Sequence, residues 1–541
     1  MQRRKFLRNL PIGFVLAGTS VVAASVANAT AGATAGSGIV DLDIEGVVGD
    51  GSTDVTVQLQ SLLYQSVGKL LLLGAGKIYG ITSLDLPAGV TIVSKGASFR
   101  KLVSSSAYAL IVHNNVRADT LDLIVSGGAA DAGIRIIGGD VQIGGVTVSS
   151  EQDDAGHGAA TNGLLIHQAS APAAPISGVR LGSVAIFGYV SPVRIINADQ
   201  CHVEFLEIRN FKTGVYLIDV RNSSLSNACL SGLSSFATGG PGENGFLIES
   251  TLDHGTTNLT LRSCHVRDAA EHGFRVGGQQ VVSNVWILGC SSLNSGAAGG
   301  GATGGGAFKV LGGYTTGSYH TNINLIGCIA EDCSVGGYGI GNFAAFQLGM
   351  IKGARLSDCS VRSRNNAFSC WWGMSVLACE DVQITNPDLT NCRQHAIKFL
   401  TAQNTMPAYP TEMRDVVVHG GILDVNGSGS AVVVFEPVNN QFVNVSLEGG
   451  TSIRRGGQAV NHMAPTTGAY VDCSCDISYR DPKKTDGAPP IQNQNNILYR
   501  YRGPSYGVYL PQAAPGSTLQ DSITGQFRVR KALPSLTWVA L

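Results

Sequence analysis

Apolar and polar positions alternate in short bursts along this chain. In HGFRV (272–276), Phe274 and Val276 are apolar and Arg275 between them is cationic. A period of two predicts a strand with one buried face. The motif returns as GAFKV (306–310) and AAFQL (344–348). Around it sits a longer repeat, aligned as LRSCHVRDAAEHGFRV (261–276), ILGCSSLNSGAAGGGATGGGAFKV (287–310), LIGCIAEDCSVGGYGIGNFAAFQL (325–348) and LSDCSVRSRNNAFSCWW (356–372). Each unit holds a strand, a Cys at a bend, a second strand, a variable loop, and then the apolar–polar–apolar strand. Weaker copies occur at 146–167, 184–195, 205–218, 382–399 and 416–435.

Repeats built of several strands and no helix predict a solenoid. The leucine-rich consensus is absent, and the units lack a propeller-blade signature. Short strands in one register with loops of very different length predict an all-β, single-stranded right-handed parallel β-helix over 101–475. Each loop can leave such a coil without disturbing its stack. Cys264, Cys290, Cys328 and Cys359 share one bend. Free Cys is small and commonly buried, so these four are expected as an internal thiol ladder, with disulfides the alternative.

Composition narrows the classes. Of 541 residues only 14% are charged, the formal net charge is −1, and 70 are Gly. No bulk field points to nucleic acid or an anionic membrane surface. The opening MQRRKFLRNLPIGFVLAGTSVVAASVANAT has a basic start, an apolar run and Ala27-Asn28-Ala29. It reads as a signal peptide over 1–29, with Arg3-Arg4 of twin-arginine character. The expected location is outside the cytoplasm, periplasmic or extracellular. No later segment is long and apolar enough for a membrane span. Residues 30–100 are expected to form an N-terminal cap and first strands, and 476–541 a C-terminal cap or tail.

The cap segment carries a resemblance. DLDIEGVVGDGSTDVTVQLQSLL (41–63) resembles the opening of pectate-lyase-like β-helix proteins, with their GDGxTDDTxAIQxAI pattern. Gly49, Asp50, Gly51, Thr53, Asp54, Thr56 and Gln60 match, Val55 replaces the second Asp, and Leu59 the usual Ile. The resemblance implies a short amphipathic helix capping the coil, with Val57, Leu59, Leu62 and Leu63 as its apolar side. With the repeats it extends from about residue 41 to 470. It is specific for fold and weak for chemistry, since that superfamily includes polysaccharide lyases, hydrolases, epimerases and phage tailspikes.

The centres of the recurring strand, in order, are Arg135, Leu165, Arg194, Tyr216, Leu247, Arg275, Lys309, Gln347, Trp371 and Lys398. Adjacent rungs stack about 4.8 Å apart, so these centres should form a stripe of cations and aromatics. Such a stripe suits a linear polyanion, because Arg pairs with carboxylates through two hydrogen bonds and Lys acts as a point charge. Outward cations also serve simply as a solvated face that blocks strand aggregation. Loops at 151–162, 234–245, 291–306 and 333–344 all precede this strand, which marks a binding edge. Within 151–158, Glu151, Asp153, Asp154 and His157 form either an acidic patch or a solvated loop. Glu243 lies beside the stripe. Asp268, Asn294 and Asp332 are equivalent positions, with Glu331 next to Asp332. They suit acid–base work, or Ca²⁺ binding by Asp268, Glu331 and Asp332, or a plain turn ladder.

These features together point to an exported enzyme acting on an acidic polysaccharide. A lyase would cleave a uronate-containing chain by β-elimination, with Arg275 and Lys309 neutralising charge and His272 or Lys309 as base. Arg135, Arg194, Tyr216, Glu243, Gln347, Trp371 and Lys398 would bind the polymer. The required cofactor is either none or Ca²⁺. The alternatives are a glycoside hydrolase using two of Asp268, Glu331, Asp332 and Glu243, an epimerase, or a non-catalytic binding protein.

Overall fold

The computed structural model describes residues 38–540 apart from 104–105, 126–132, 151–161, 169–173, 233–243, 252–254, 297–304, 314–316, 334–343, 365–367, 401–411, 427–430, 437–440, 456–457, 463–469, 480–490, 493–496, 504–516, 522–525 and 531–537. The signal-like segment 1–29, Glu151, Asp153, Asp154, His157, Glu243 and most of the four long loops fall outside the described residues. Two compact units divide the chain, Met1–Phe211 with Asn222–Ala228, and Lys212–Arg221 with Cys229–Leu541. Among the described residues, no helix is long and apolar enough to cross a membrane.

The first unit opens on the cap. Asp50 accepts hydrogen bonds from the amides of Ser52 and Thr53 (both 2.8 Å) and from the Thr53 hydroxyl (2.7 Å). These donors hold its carboxyl far below the usual range and tie the GDGST stretch into a turn. Asp54 then accepts the Thr56 amide at 2.9 Å, where the helix Thr56–Gln65 begins. Leu59, Leu62 and Leu63 are buried as expected, but Val57 is 85% exposed and does not belong to the apolar side. Gln60 bonds both backbone groups of Asp85 at 2.9 Å, fastening the helix to the strand Leu84–Leu86.

From there the first unit coils. Strands Leu84–Leu86, Leu110–Val112, Ile134–Ile136, Asn162–Ile166 and Ser191–Asp199 pair in parallel, each with the next. Their aligned centres are Asp85, Ile111, Arg135, Leu165 and Arg194.

The second unit repeats this architecture. Strands Asn244–Glu249, His272–Val276, Phe308–Leu311, Ala344–Gly349, Cys370–Leu377, Asp388–Leu400 and Ala431–Glu436 form a parallel ladder. Phe246, Phe274, Phe308 and Phe346 stack inside it, with ring centroids 5.1, 4.8 and 5.1 Å apart and ring planes within 6°. The bends are built by residues that tolerate positive φ. Asn258, Asn284 and Asn322 occupy one such corner, where the Asn284 side-chain amide donates to Asn258 Oδ1 and that of Asn322 to Asn284 Oδ1. Cys264, Cys290, Cys328 and Cys359 are buried at another corner, and all twelve cysteines are free thiols. Parallel pairing continues past residue 475 through Ser474–Tyr479, Leu498–Gly503 and Thr518–Asp521. Phe527–Arg530 pairs antiparallel with both Thr518–Asp521 and Trp538–Ala540. The fold expected from the repeat and from the resemblance, a parallel β-helix with a capping helix, is the fold observed.

Candidate functional site

Register decides which side chains share the stripe. In the second unit the aligned centres are Tyr216, Leu247, Arg275, Lys309, Gln347, Ser375 and Lys398. Trp371 does not belong to that column. The strand Cys370–Leu377 presents Met374-Ser375-Val376 as its apolar–polar–apolar triplet, and Ser375 aligns with Gln347 and Lys398. The neighbouring strand bulges between Cys392 and His395, and its centre Lys398 still aligns with Ser375. Arg135 and Arg194 stand in the first unit, one on each side of Leu165.

The strand His272–Val276 and the residue before it hold the densest chemistry. Glu271 lies between two partners, with one oxygen 3.5 Å from His272 Nε2 and the other 3.5 Å from Arg275 Nη1. His272 is completely buried, and its Nδ1 accepts the Gly306 amide at 2.9 Å. That acceptor role puts the imidazole proton on Nε2, facing Glu271. Burial first, and the Lys309 charge second, push its pKa down to about 4. His272 is therefore a neutral, fully enclosed ring whose free lone pair is already used. It cannot reach a substrate proton, which removes the expected role as base.

Lys309 is different. It aligns with Arg275 on one side and Gln347 on the other. Among the described residues it makes no hydrogen bond and no ion pair, although most of its side chain is shielded. Burial, then the Arg275 charge, bring its pKa down to about 8, with Glu271 pulling the other way. A lysine in this state is an amine poised to exchange a proton near neutral pH.

The acidic residues expected to act as acids or metal ligands do structural work. Asp268, Asn294 and Asp332 all have positive φ and form the turn ladder. Asn294 donates to Asp268 at 2.7 Å, and Asp332, 2% exposed, accepts the Arg364 amide at 3.1 Å. Glu331 is paired with Arg364 at 2.7 Å. Among the described residues no three His, Cys, Asp or Glu side chains come close enough together to hold a metal ion. Asp268, Glu331 and Asp332 are therefore not gathered as a metal group among the described residues, and Asp268 and Asp332 stand in the turn ladder.

Several other expected binding residues already have partners. Lys398 pairs with Glu436 at 2.7 Å and sits 4.5 Å over the Trp372 ring. The Tyr216 hydroxyl donates to Glu249 at 2.5 Å. Gln347 donates to the Ala344 carbonyl at 3.3 Å. Arg135 donates to the His167 carbonyl at 3.3 Å and lies 5.1 Å over the Tyr108 ring. Burial, then Arg135 and Arg194, hold the His167 pKa below its ordinary value. Glu271, an acidic residue that borders the stripe just before the cationic strand, links His272 and Arg275. Its position four residues before Arg275 was the available signal for that link.

No protein-family model matches this sequence, and no curated protein does. Among solved structures, the chain is similar to the catalytic unit of a GH87 α-1,3-glucanase from Streptomyces thermodiastaticus, at 14% identity, 85% coverage of this chain, 70% of that chain and a TM-score of 0.37. It is also similar to the tailspike protein of E. coli bacteriophage HK620 in complex with a hexasaccharide, at 11% identity, 84% and 75% coverage and a TM-score of 0.44. A third likeness is to the A-module of a mannuronan C-5 epimerase from Azotobacter vinelandii, at 12% identity, 80% and 98% coverage and a TM-score of 0.34.

Proposed function

We propose that this protein acts outside the cytoplasm on an acidic polysaccharide and cleaves it by β-elimination. The observation that carries this reading is Lys309, a shielded amine without a partner among the described residues, aligned beside Arg275. In the proposed reaction a uronate carboxylate pairs with Arg275, which acidifies the adjacent ring C–H. The Lys309 amine takes that proton. The electron pair forms a carbon–carbon double bond, and the glycosidic C–O bond breaks with its electrons leaving on oxygen. That oxygen then takes a proton from water. Glu271 orients Arg275, and His272 holds Glu271 in place.

The hydrolase reading is weaker at this strand. It needs two carboxylates free to act as acid and base. Glu271, Glu249 and Glu436 are each engaged, by Arg275 and His272, by Tyr216 and by Lys398.

The test is to incubate the protein with a panel of acidic polysaccharides while following ultraviolet absorbance of unsaturated ends, reducing ends and polymer size. Absorbance that rises as chains shorten is expected, and Lys309→Ala should lower the rate by about a hundredfold or more. Shortening without absorbance would replace the lyase by a hydrolase. Incorporation of solvent deuterium without shortening would replace it by an epimerase. Binding without any reaction would leave a binding protein.

A further inference from the structure

Three rungs beyond Lys309, the second unit carries a cation mounted on aromatic rings. Arg393 is exposed, and its guanidinium carbon lies 4.1 Å from the Trp371 ring centroid and 5.0 Å from that of Phe368. The support under it is fixed. The Trp371 and Trp372 indole N–H groups both donate to the single acceptor Gln394 Oε1, at 2.9 and 2.7 Å. Arg393 itself makes no hydrogen bond and no ion pair among the described residues. Among other exposed arginines of the unit, Arg364 pairs with Glu331 and Arg414 with Glu412, while Arg262, Arg355 and Arg362 have no side-chain partner and no ring beneath them among the described residues.

The bulge between Cys392 and His395 explains how Arg393 arrives there. Arg393 precedes Lys398 by an odd number of residues, which in a regular strand puts the two on opposite faces. Where the facing strand advances from Cys370 to Trp372, this strand advances from Cys392 to His395, one residue more. The extra residue turns Arg393 to the face of Lys398.

We propose that Arg393 is a second recognition point for the same polymer, gripping the carboxylate of a uronate residue bound away from Lys309. It rests on the reading of the substrate as an acidic polysaccharide. A planar guanidinium flat on two rings keeps its N–H edge directed outward, the geometry for bidentate pairing with a carboxylate. Stacking also reduces the freedom such a side chain loses on binding. Its rung is the third after that of Lys309, about 14 Å along the coil at about 4.8 Å per rung. Only a chain of several sugars would touch both.

The experiment uses the full chain with Lys309→Ala, so that ligand is bound without turnover. Affinities are measured for a hexameric oligouronate, its dimer, the carboxyl-reduced hexamer and a sulfated neutral hexamer. Adding Arg393→Gln is expected to weaken the hexauronate by about tenfold or more. It should leave the dimer and the carboxyl-reduced hexamer unchanged. Arg393→Lys, which keeps the charge but not the planar fork, should restore only part of the loss. An unchanged hexauronate affinity in Arg393→Gln overturns this proposal, and it leaves the lyase reading intact if Arg275→Ala still weakens binding. Loss confined to the sulfated hexamer overturns the carboxylate assignment. If no oligouronate binds the parent, both readings fall together.

Discussion

Two shielded lysines show what distinguishes a structural cation from a reactive one. Lys101, 1% exposed, donates to the carbonyls of Thr82 at 3.1 Å and Ser106 at 2.8 Å, so its hydration is replaced by fixed dipoles. Lys309 has no such replacement among the described residues. A fold that keeps an uncompensated cation gives up stability for it. With the Lys309 pKa lowered from 10.5 to about 8, the unfolded chain binds the extra proton between those values. Stability attributable to this residue is therefore present above about pH 10.5 and lost as pH falls through about 8. At pH 7 both states are protonated and the penalty is complete. Lys309→Met is expected to raise unfolding stability at pH 7 by about 1–3 kcal/mol while abolishing cleavage. Urea unfolding of both proteins at pH 7 and pH 10 measures it, with the gap closing at the higher pH. A destabilised Met variant would mean that the ammonium is held by favourable contacts. In the parent, kcat/KM should climb through about pH 8 as the amine loses its proton.

At the scale of strands and bends, core and site separate cleanly. Phe308 is flanked by Phe274 and Phe346 and 1% exposed. Phe308→Ala should cost about 3–5 kcal/mol by leaving a cavity inside the stack. Gly305 has the opposite profile. A Cβ there would stand 1.4 Å from the Glu271 carbonyl oxygen, a backbone atom that cannot swing aside. Gly305→Ala is expected to displace Glu271, and with it Arg275, lowering activity by about a hundredfold while circular dichroism stays that of the parent. Equal losses of fold and activity would show that the bend, and not Glu271, is what the glycine protects. The same elements show what the sequence made legible. Alternation alone located the rungs, the Arg275–Lys309–Gln347 column and the thiol corner, because period two and stacking are local rules. It missed Arg393, because a one-residue bulge shifts register without changing composition, and it failed at Trp371 because alternation reads Cys370-Trp371-Trp372 as the triplet of a strand whose centre is Ser375. The carboxylates of Asp268 and Asp332 were ambiguous for a related reason. Positive φ and catalysis favour the same residue type, and only the hydrogen bonds separate them.

Across the whole molecule, stability comes from repetition rather than cross-links. Each rung closes its backbone hydrogen bonds on the next and buries its own small share of core, so long-range covalent bridges add little. The cysteines follow that logic, with eleven of the twelve buried and Cys229 alone exposed. Burial pushes the thiols of Cys201, Cys333 and Cys379 up to about 12, so thiolate is scarce at neutral pH. Cys370 and Cys392 have their sulfurs 3.7 Å apart inside the core, beyond bonding distance. Maleimide should therefore label the native protein at Cys229 only, and label all twelve positions once the chain is unfolded without reductant. Thermal unfolding should be unaffected by reductant. Intact mass is the decisive measurement, since the export proposed above would offer oxidants to every thiol. A mass lower by two hydrogens, mapped to Cys370 and Cys392, would mean that the rungs are stapled as well as stacked. A mass of the fully reduced chain, kept after treatment with a mild oxidant, would show that close packing alone shields the thiols.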